Sequence, residues 1–363
     1  MTEVPGAGPV REEDAFDVPA VDGWLRENTP DGPGLDGLPE VQQFSGGASN
    51  LTFLLRYPGR DLILRRPPAG AKAKSAHDMH REFTIQSRLK PVFGYVPDMV
   101  AFCDDPTVIG SDFYVMERVE GTILRRDLPP GLELTPADVR RLCTGALDVL
   151  VELHAVDPAA AGLTELGRGE GYVARQVAGW SDRLRGARTD NIGDYEAVMA
   201  WLAAHQPADV GSCVIHNDFR FDNLVLDVPE DGSRPRVVAM LDWEMATLGD
   251  PLMDLGGATA YWVQADDDAF FSEFRRQPTH LEGMLTRDEV VDYYCARSGL
   301  SVSPERWRFY EVFGLFRLAV IAQQIYYRYH HGQTTNEAYA IFLPAVQYLE
   351  GRCARLIAEA ERR

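Results

Sequence analysis

The sequence predicts an α+β protein in two lobes: a five-stranded antiparallel sheet with one helix, followed by a mainly helical lobe. Three observations predict it. Between residues 40 and 119, short apolar runs alternate with Gly, Pro and Asn turns, the pattern of strands joined by tight connections. From Thr135 onward, apolar residues recur three and four apart, the helical period. One later stretch breaks that period: Val214-Ile215-His216-Asn217-Asp218-Phe219-Arg220-Phe221-Asp222-Asn223-Leu224-Val225-Leu226-Asp227. It reads as strand, tight loop, strand, with the polar groups gathered in the loop.

At 363 residues the chain has ample core for two domains or for one two-lobed domain. Its formal charge of −19 argues against nucleic acid and anionic membrane as partners, since both select basic patches. The acidity either solubilises the surface or attracts a cationic ligand. Cys103, Cys143, Cys213, Cys295 and Cys353 are far apart and form no CxxC pair. That spacing fits reduced core thiols in a cytoplasmic protein. The first residues lack a basic segment followed by an apolar one, so no signal peptide is expected. The most apolar long stretch, residues 313–325, contains Arg317, Gln323 and Gln324 and is too polar for a membrane span.

Residues 1–16 are acidic, rich in Pro and Gly, and have little to bury, so a disordered tail is expected. Residues 17–119 then form the first lobe and 120–363 the second. Val21, Trp24, Leu25 and Asn28 share a face of a short helix over 19–28. Residues 40–44, 51–57 and 61–65 read as three consecutive antiparallel strands. The first turn between them is Ser45-Gly46-Gly47-Ala48-Ser49-Asn50. Its glycines let backbone N–H groups approach phosphate oxygens closely, and Ser49 and Asn50 add donors. The other reading is a plain hairpin with a flexible tip. Arg65 ends the third strand. Residues 76–89 are helical in pattern, with Met79, Phe83, Gln86 and Leu89 on one face and Glu82 near the middle. Residues 97–103 and 113–119 supply the last two strands, and Glu120-Gly121 breaks the chain.

Thr135-Pro136-Ala137-Asp138 is a helix start, with an N-cap Thr, a first-turn Pro and an acid. Val139, Leu142, Leu147, Leu150 and Leu153 continue it as a core helix, and His154 at its end reads as a satisfied structural histidine. Residues 170–205 add further helices. The loop after them has the order His-x-Asp-x4-Asn, the catalytic loop of phosphoryl-transfer enzymes of the protein-kinase type. The Asp takes or orients a hydroxyl proton, and the Asn offers a neutral oxygen to a metal ion. Downstream, in Met240-Leu241-Asp242-Trp243-Glu244, a second carboxylate stands at an apolar strand end, where such enzymes hold Mg2+. The alternative is a polar β-hairpin whose Asp and Asn make turn hydrogen bonds. Only the kinase reading demands a glycine turn, a strand cation and a helix Glu upstream. Gly46-Gly47, Arg65 and Glu82 occur in that order. Backbone groups from Glu117 to Val119 would then meet an adenine. Asp250 and Asp254, one helical turn apart, read as capping and loop-bracing groups. Asp266, Asp267 and Asp268 are either a solvated loop or a lip for a cationic substrate. Tyr326, Tyr327 and Tyr329 leave open an aromatic cage for a choline-like one.

Taken together, the glycine turn, Leu62-Ile63-Leu64-Arg65-Arg66-Pro67-Pro68, Arg81-Glu82-Phe83, residues 113–121, the His216–Asn223 loop, and Leu241-Asp242-Trp243-Glu244 with Gly249-Asp250-Pro251-x2-Asp254-Leu255 carry a family resemblance. The chain resembles the aminoglycoside phosphotransferase-like, choline kinase-type small-molecule kinases. More narrowly it is similar to the branch of the kinase-like domains of acyl-CoA dehydrogenase family members 10 and 11. The resemblance covers about residues 20–350. It implies a protein-kinase-like fold, ATP or GTP with Mg2+, and transfer of the γ-phosphoryl group to a small-molecule hydroxyl. It implies Asp218 as catalytic base and Asn223 and Asp242 as metal ligands. Ser45, Gly46, Gly47, Ser49, Asn50, Arg65, Glu82, Glu117 and Val119 would serve the nucleotide, and His216 and Asp254 would support the loop. Apart from the resemblance, the acidic cluster Asp266, Asp267 and Asp268 and the aromatic Tyr326 are the candidates to face a substrate. Two departures stand out. Arg65 replaces the usual strand Lys, keeping the charge but changing its geometry. Asn217 stands where relatives often carry Gly, and Asn tolerates the same backbone.

The leading expectation is a cytoplasmic, Mg2+-dependent O-phosphotransferase acting on an aminoglycoside-like or hydroxyacyl-type acceptor. The rivals are a pseudokinase that binds nucleotide without turnover, motivated by Arg65, and a metal-dependent hydrolase using Asp218, Asp242, Asp250 and Asp254.

Overall fold

A computed structural model describes residues 4–29, 35–44, 50–68, 78–229 and 234–362. In chain order, β1 (Ala7–Gly8), α1 (Val18–Asn28), β2 (Glu40–Phe44), β3 (Leu51–Tyr57) and β4 (Arg60–Arg66) come first. Next are α2 (Met79–Leu89), β5 (Met99–Cys103), α3 (Pro106–Ile109), β6 (Phe113–Glu117) and α4 (Pro136–His154). Then follow α5 (Tyr172–Gly186), α6 (Glu196–His205), β7 (Cys213–Ile215), β8 (Leu224–Asp227), β9 (Arg236–Met240) and β10 (Thr247–Gly249). The chain closes with α7 (Pro251–Ala260), α8 (Ala269–Glu273), α9 (Arg287–Ser298), α10 (Pro304–His330) and α11 (Phe342–Glu361). These elements divide into two compact units, Met1–Gly121 with Val238–Glu244, and Thr122–Val237 with Met245–Arg363.

The first unit is built on a sheet of order β1-β2-β3-β4-β6-β5, antiparallel throughout. The centres of β3, β4 and β6 are apolar on both faces, Phe53–Leu55, Leu62–Leu64 and Tyr114–Met116, because both faces are covered. Phe53, Leu55, Leu62 and Leu64 pack on one side with Val21 and Leu25 of α1. Leu54, Ile63, Tyr114 and Met116 pack on the other with Met79 of α2. Five strands match the expectation. The sixth, β1, comes from the tail expected to be disordered, and residues 4–16 are a correction to that expectation. Phe16 stacks edge-on against Phe53 at 5.0 Å. Arg66 lies 5.7 Å from the Phe16 ring and donates from Nη2 to the Asp14 carbonyl at 2.6 Å. The buried Asp14 carboxylate accepts from Arg11 Nε at 2.7 Å and Gln43 Nε2 at 2.8 Å. Composition made the tail look unable to fold. One aromatic and one acid, each with a distant partner, tie it to the sheet.

The second unit is helical. Thr135 and Asp138 form a reciprocal capping box at the start of α4, as its sequence predicts. α7 and α10 lie close because small residues let them: a Cβ at Gly256 would stand 2.7 Å from the Tyr310 carbonyl oxygen. β7 pairs with β10, Ile215 opposite Thr247. The two strands flanking the His216–Asn223 loop therefore do not form the plain hairpin that turn chemistry alone would suggest. No helix among the described residues is long and apolar enough to cross a membrane.

Candidate functional site

In the first unit the strand cation, the helix acid and the post-strand acid meet. Arg65 near the end of β4 is buried, and its Nη1 lies 3.1 Å from Glu82 Oε1. Its Nη2 lies 3.1 Å from Asp242 Oδ1. Glu82 also accepts from the Tyr114 hydroxyl at 2.8 Å. Burial works against the Arg65 charge, but Glu82, Tyr114 and Asp242 outweigh it and hold its pKa well above the ordinary value. Burial pushes the Glu82 carboxyl up, and Arg65 pulls it back. The Glu82 side chain is thus held against Arg65 rather than against its neighbour Arg81, whose Nη1 donates to the Glu244 carbonyl at 3.1 Å.

Asp242 is presented by a strained turn. Its φ is 66°, the left-handed region that costs a residue with a Cβ roughly 1–2 kcal/mol. Trp243, fully buried, fixes that turn by donating from Nε1 to the Met240 carbonyl at 2.9 Å. The Met240 N–H in turn donates to the Tyr95 carbonyl at 2.7 Å. Strain kept in place by such packing is a mark of a functional position. Asn50 is buried and donates from Nδ2 to Glu244 Oε2 at 3.2 Å. Ser45, Gly46, Gly47 and Ser49 lie outside the described residues. Glu117 accepts from Arg60 Nε at 2.9 Å. Its N–H and that of Arg118 already donate to the Asp98 and Asp61 carbonyls, at 2.8 Å and 3.1 Å. Val119 follows beyond the strand, half-buried.

In the second unit the loop after β7 is held by one carboxylate. Asp254 of α7 accepts from the His216 N–H at 2.8 Å and the Asn217 N–H at 2.7 Å. It also sits 3.1 Å from His154 Nε2, whose Nδ1 lies 2.6 Å from the Tyr294 hydroxyl. Burial pushes the Asp254 carboxyl up, but these bonds and the nearby histidines outweigh it and hold its pKa below the ordinary value. His216 is fully buried and accepts on Nδ1 from the Asp218 N–H at 3.2 Å. Asn217 has φ 65°, as a Gly-like position requires, and all its polar groups are engaged. Its carbonyl accepts from Arg317 Nη2 at 2.7 Å, its Nδ2 donates to the Met245 carbonyl at 3.1 Å, and its Oδ1 accepts from the Tyr172 hydroxyl at 3.3 Å.

This frame leaves Asp218 and Asn223 facing each other. Asn223 Nδ2 donates to the Asp218 carbonyl and to its Oδ2, both at 2.9 Å. With the amide nitrogen so directed, Asn223 Oδ1 is the oxygen turned elsewhere. Asp250 caps α7 through the Leu252 and Met253 N–H groups and accepts from the Val210 N–H at 2.6 Å. Asp250 and Asp254 are therefore engaged by the backbone, which removes them from a hydrolase metal cluster.

Two residues that sequence reasoning passed over hold this loop. Arg220 Nη2 is 3.5 Å from Asp218 Oδ2, its Nε is 3.0 Å from Asp222 Oδ1, and its guanidinium lies 4.7 Å over the Tyr261 ring. It was visible within the motif. Burial raises the Asp222 pKa, and Arg220 lowers it. Gln277 accepts the Phe221 N–H on Oε1 at 2.9 Å, across a separation of 56 residues that no local pattern reveals.

The substrate expectations fare differently. Asp267 is paired with Arg287 at 2.6 Å and Arg352 at 3.0 Å and accepts from the Gln264 N–H at 2.7 Å. Asp268 caps α8 and accepts from the Tyr348 hydroxyl at 2.6 Å. Asp266 accepts from Gln264 Nε2 at 2.9 Å. Asp267 is thus neutralised and Asp268 is a helix cap, so these two brace the fold rather than form a lip for a cation, a correction whose cause is two arginines and a tyrosine far away in sequence. Tyr326 is also structural: it is buried, and its hydroxyl accepts from Asn191 Nδ2 at 2.7 Å.

Comparison with known proteins gives the family and the fold. The phosphotransferase enzyme family matches residues 40–289. The chain belongs to that family. Among relatives of this phosphotransferase is acyl-CoA dehydrogenase family member 10 of Mus musculus, 34% identical over 333 residues, covering 92% of this chain and 30% of the relative. Acyl-CoA dehydrogenase family member 11 of Rattus norvegicus is 32% identical over 328 residues, covering 89% of this chain and 41% of the relative. The chain thus spans less than half the length of these relatives. A Ralstonia eutropha structure, provisionally assigned as an aminoglycoside phosphotransferase, superposes with a TM-score of 0.78 at 29% identity, covering 96% of this chain and 99% of that one. Choline kinase from Cryptosporidium parvum gives 0.62 at 12% identity, covering 94% and 97%, a likeness of fold. The phosphotransferase has a protein-kinase-like fold.

Proposed function

We propose that the chain is an ATP- or GTP-dependent, Mg2+-dependent O-phosphotransferase that moves a γ-phosphoryl group to the hydroxyl of a small molecule. One observation carries the reading: Asp218 is held in a fixed loop with Asn223 as its partner, while the loop's own backbone is satisfied by Asp254. A carboxylate so placed can orient an alcohol and take its proton. The oxygen donors suit a hard divalent ion: Asn223 Oδ1 and the Asp242 carboxylate are the groups that would hold Mg2+. When bound, Mg2+ neutralises phosphate charge. Arg65 supplies a fixed positive charge that Glu82 keeps in one orientation. Catalysis is then mainly positioning and charge neutralisation.

The relatives' names refer to acyl-CoA dehydrogenases, which supports a hydroxyacyl-type acceptor over an aminoglycoside. All five cysteines are free, which supports a reducing, cytoplasmic setting. The acidic charge supports a small-molecule partner and neither nucleic acid nor a membrane.

The test is phosphoryl transfer by purified protein with Mg2+, ATP or GTP, and a panel of hydroxylated acceptors. Transfer should fall by about 10²–10⁴ in Asp218→Ala, with nucleotide affinity kept. Wild-type turnover in that variant would overturn the mechanism. The engagement of Arg65 with both Glu82 and Asp242 favours a second reading, a nucleotide-binding module without turnover. Nucleotide binding measured beside product formation separates the two.

A further inference from the structure

The two oxygens of the Asp218 carboxylate have different surroundings. Oδ2 is taken: Asn223 Nδ2 donates to it at 2.9 Å, and Arg220 Nη2 stands 3.5 Å away. Oδ1 has no hydrogen-bond partner among the described residues. It is not one of the buried polar atoms left without a partner, and the side chain is 25% exposed, so Oδ1 is open. The carboxylate is held by one oxygen and offered by the other.

Arg220 is itself fixed from several directions. Its Nε forms an ion pair with Asp222 Oδ1 at 3.0 Å, its guanidinium lies 4.7 Å over the Tyr261 ring, and its carbonyl accepts the Asn223 N–H at 3.0 Å. A planar guanidinium can stack on a ring and meet two carboxylates at once, which a Lys ammonium cannot. Tyr261 follows α7 two turns after Asp254. One helix thus clasps the start of the loop through Asp254 and backs Arg220 through Tyr261. Arg220 also stands between two acids. Burial raises the Asp222 pKa, Arg220 lowers it, and the nearby Asp218 charge raises it again. Without the guanidinium the two carboxylates would repel each other, and only the Asn223 amide would hold Oδ2.

We propose that Arg220 is the positioning residue of the catalytic carboxylate: with Asn223 it pins Asp218 by Oδ2, so that Oδ1 is the oxygen that takes the acceptor's proton. The inference rests on the phosphotransferase reading. The hydroxyl proton passes to Oδ1 while the alcohol oxygen bonds to the γ-phosphorus and the bond from that phosphorus to the nucleoside diphosphate breaks. Arg220 acts through Asp218 and not on the reacting atoms. A carboxylate left to turn would lose its fixed distance to the hydroxyl, and a misplacement of about 1 Å costs about 10²-fold.

Two measurements on the full chain test it, with circular dichroism to confirm folding. The first is kcat and KM for phosphoryl transfer, with Mg2+ and nucleotide, in wild type, Arg220→Met, Asp218→Ala and the double variant. Arg220→Met should lower kcat about tenfold to hundredfold, with KM for acceptor and nucleotide kept. In the Asp218→Ala background it should cost nothing further, since the carboxylate it positions is gone. An unchanged kcat would overturn the proposal. So would losses that multiply in the double variant, which would mean that Arg220 meets the phosphoryl group or the acceptor itself. Should Arg220→Met fail to fold, Tyr261→Leu removes the ring behind the guanidinium, leaves every charge in place, and should lower kcat in the same way to a lesser degree. The second measurement needs no turnover. Urea midpoints for wild type, Arg220→Met, Asp218→Asn and the double variant form a cycle. Arg220→Met should lower the midpoint more in wild type than beside Asp218→Asn, where no like charge is left to face Asp222. Equal shifts would overturn the pinning of Asp218 by Arg220. If wild type turns over and the first test fails, this inference alone falls. If wild type phosphorylates nothing, the phosphotransferase reading and the role of Oδ1 fall together, and the cycle alone decides whether Arg220 pins Asp218.

Discussion

The two units treat buried charge differently. In the first, the buried Arg65 answers the buried Glu82 and the part-exposed Asp242, charge against charge. In the second, Asp254 answers two backbone N–H groups and a histidine. The first arrangement fixes a cation that can face an anion. The second rigidifies a loop while leaving its own carboxylate, Asp218, with the Asn223 amide and Arg220 around it. An ion pair can be exchanged when a ligand arrives, whereas a carboxylate clasping backbone is architecture.

Substitutions can break or sharpen that contrast. The largest effect should come from Asp218→Ala, an activity loss of about 10²–10⁴ with an unchanged melting temperature, measured by phosphoryl transfer and thermal unfolding. Asp254→Ala should do the opposite, removing about 3–5 kcal/mol of stability because His154 and two N–H groups lose their buried partner; urea unfolding measures it. Glu82→Ala should cost less, about 1–3 kcal/mol, since Arg65 keeps Asp242. A loss as large as that of Asp254→Ala would make the first unit architectural too. Asn217→Val should cost about 1–2 kcal/mol more than Asn217→Gly, because only the Val adds a Cβ-branched chain at φ 65°.

The smallest effect concerns pH. The folded Asp254 carboxyl titrates below its ordinary value of 3.8. Its contribution to stability is therefore present above that pH and is lost as pH falls through the folded value. Asp254→Asn should flatten the stability profile below pH 3.8, read from urea midpoints across an acid series. A profile unchanged in shape would deny the clasp its charge.

Much of the site was legible in the chain because its parts are local. His216, Asp218 and Asn223 lie within one loop, and Thr135 with Asp138 announces its helix within one turn. What was misread depended on partners from elsewhere. Asp266, Asp267 and Asp268 left open a solvated loop or an acidic lip for a cation until Arg287, Arg352 and Tyr348 came against two of them. The tail looked disordered until Arg66 and Gln43 met Asp14.

By itself, then, the sequence determined the fold class, the five central strands of the sheet and the motif that marks the candidate loop, because periodicity, caps and a short motif act within a few residues. Only the tertiary structure decided which charges are free to meet a ligand. Whether a carboxylate faces substrate or clasps its own chain depends on what folds against it. Gln277 holding Phe221 and Arg287 silencing Asp267 are contacts that no neighbouring residue encodes.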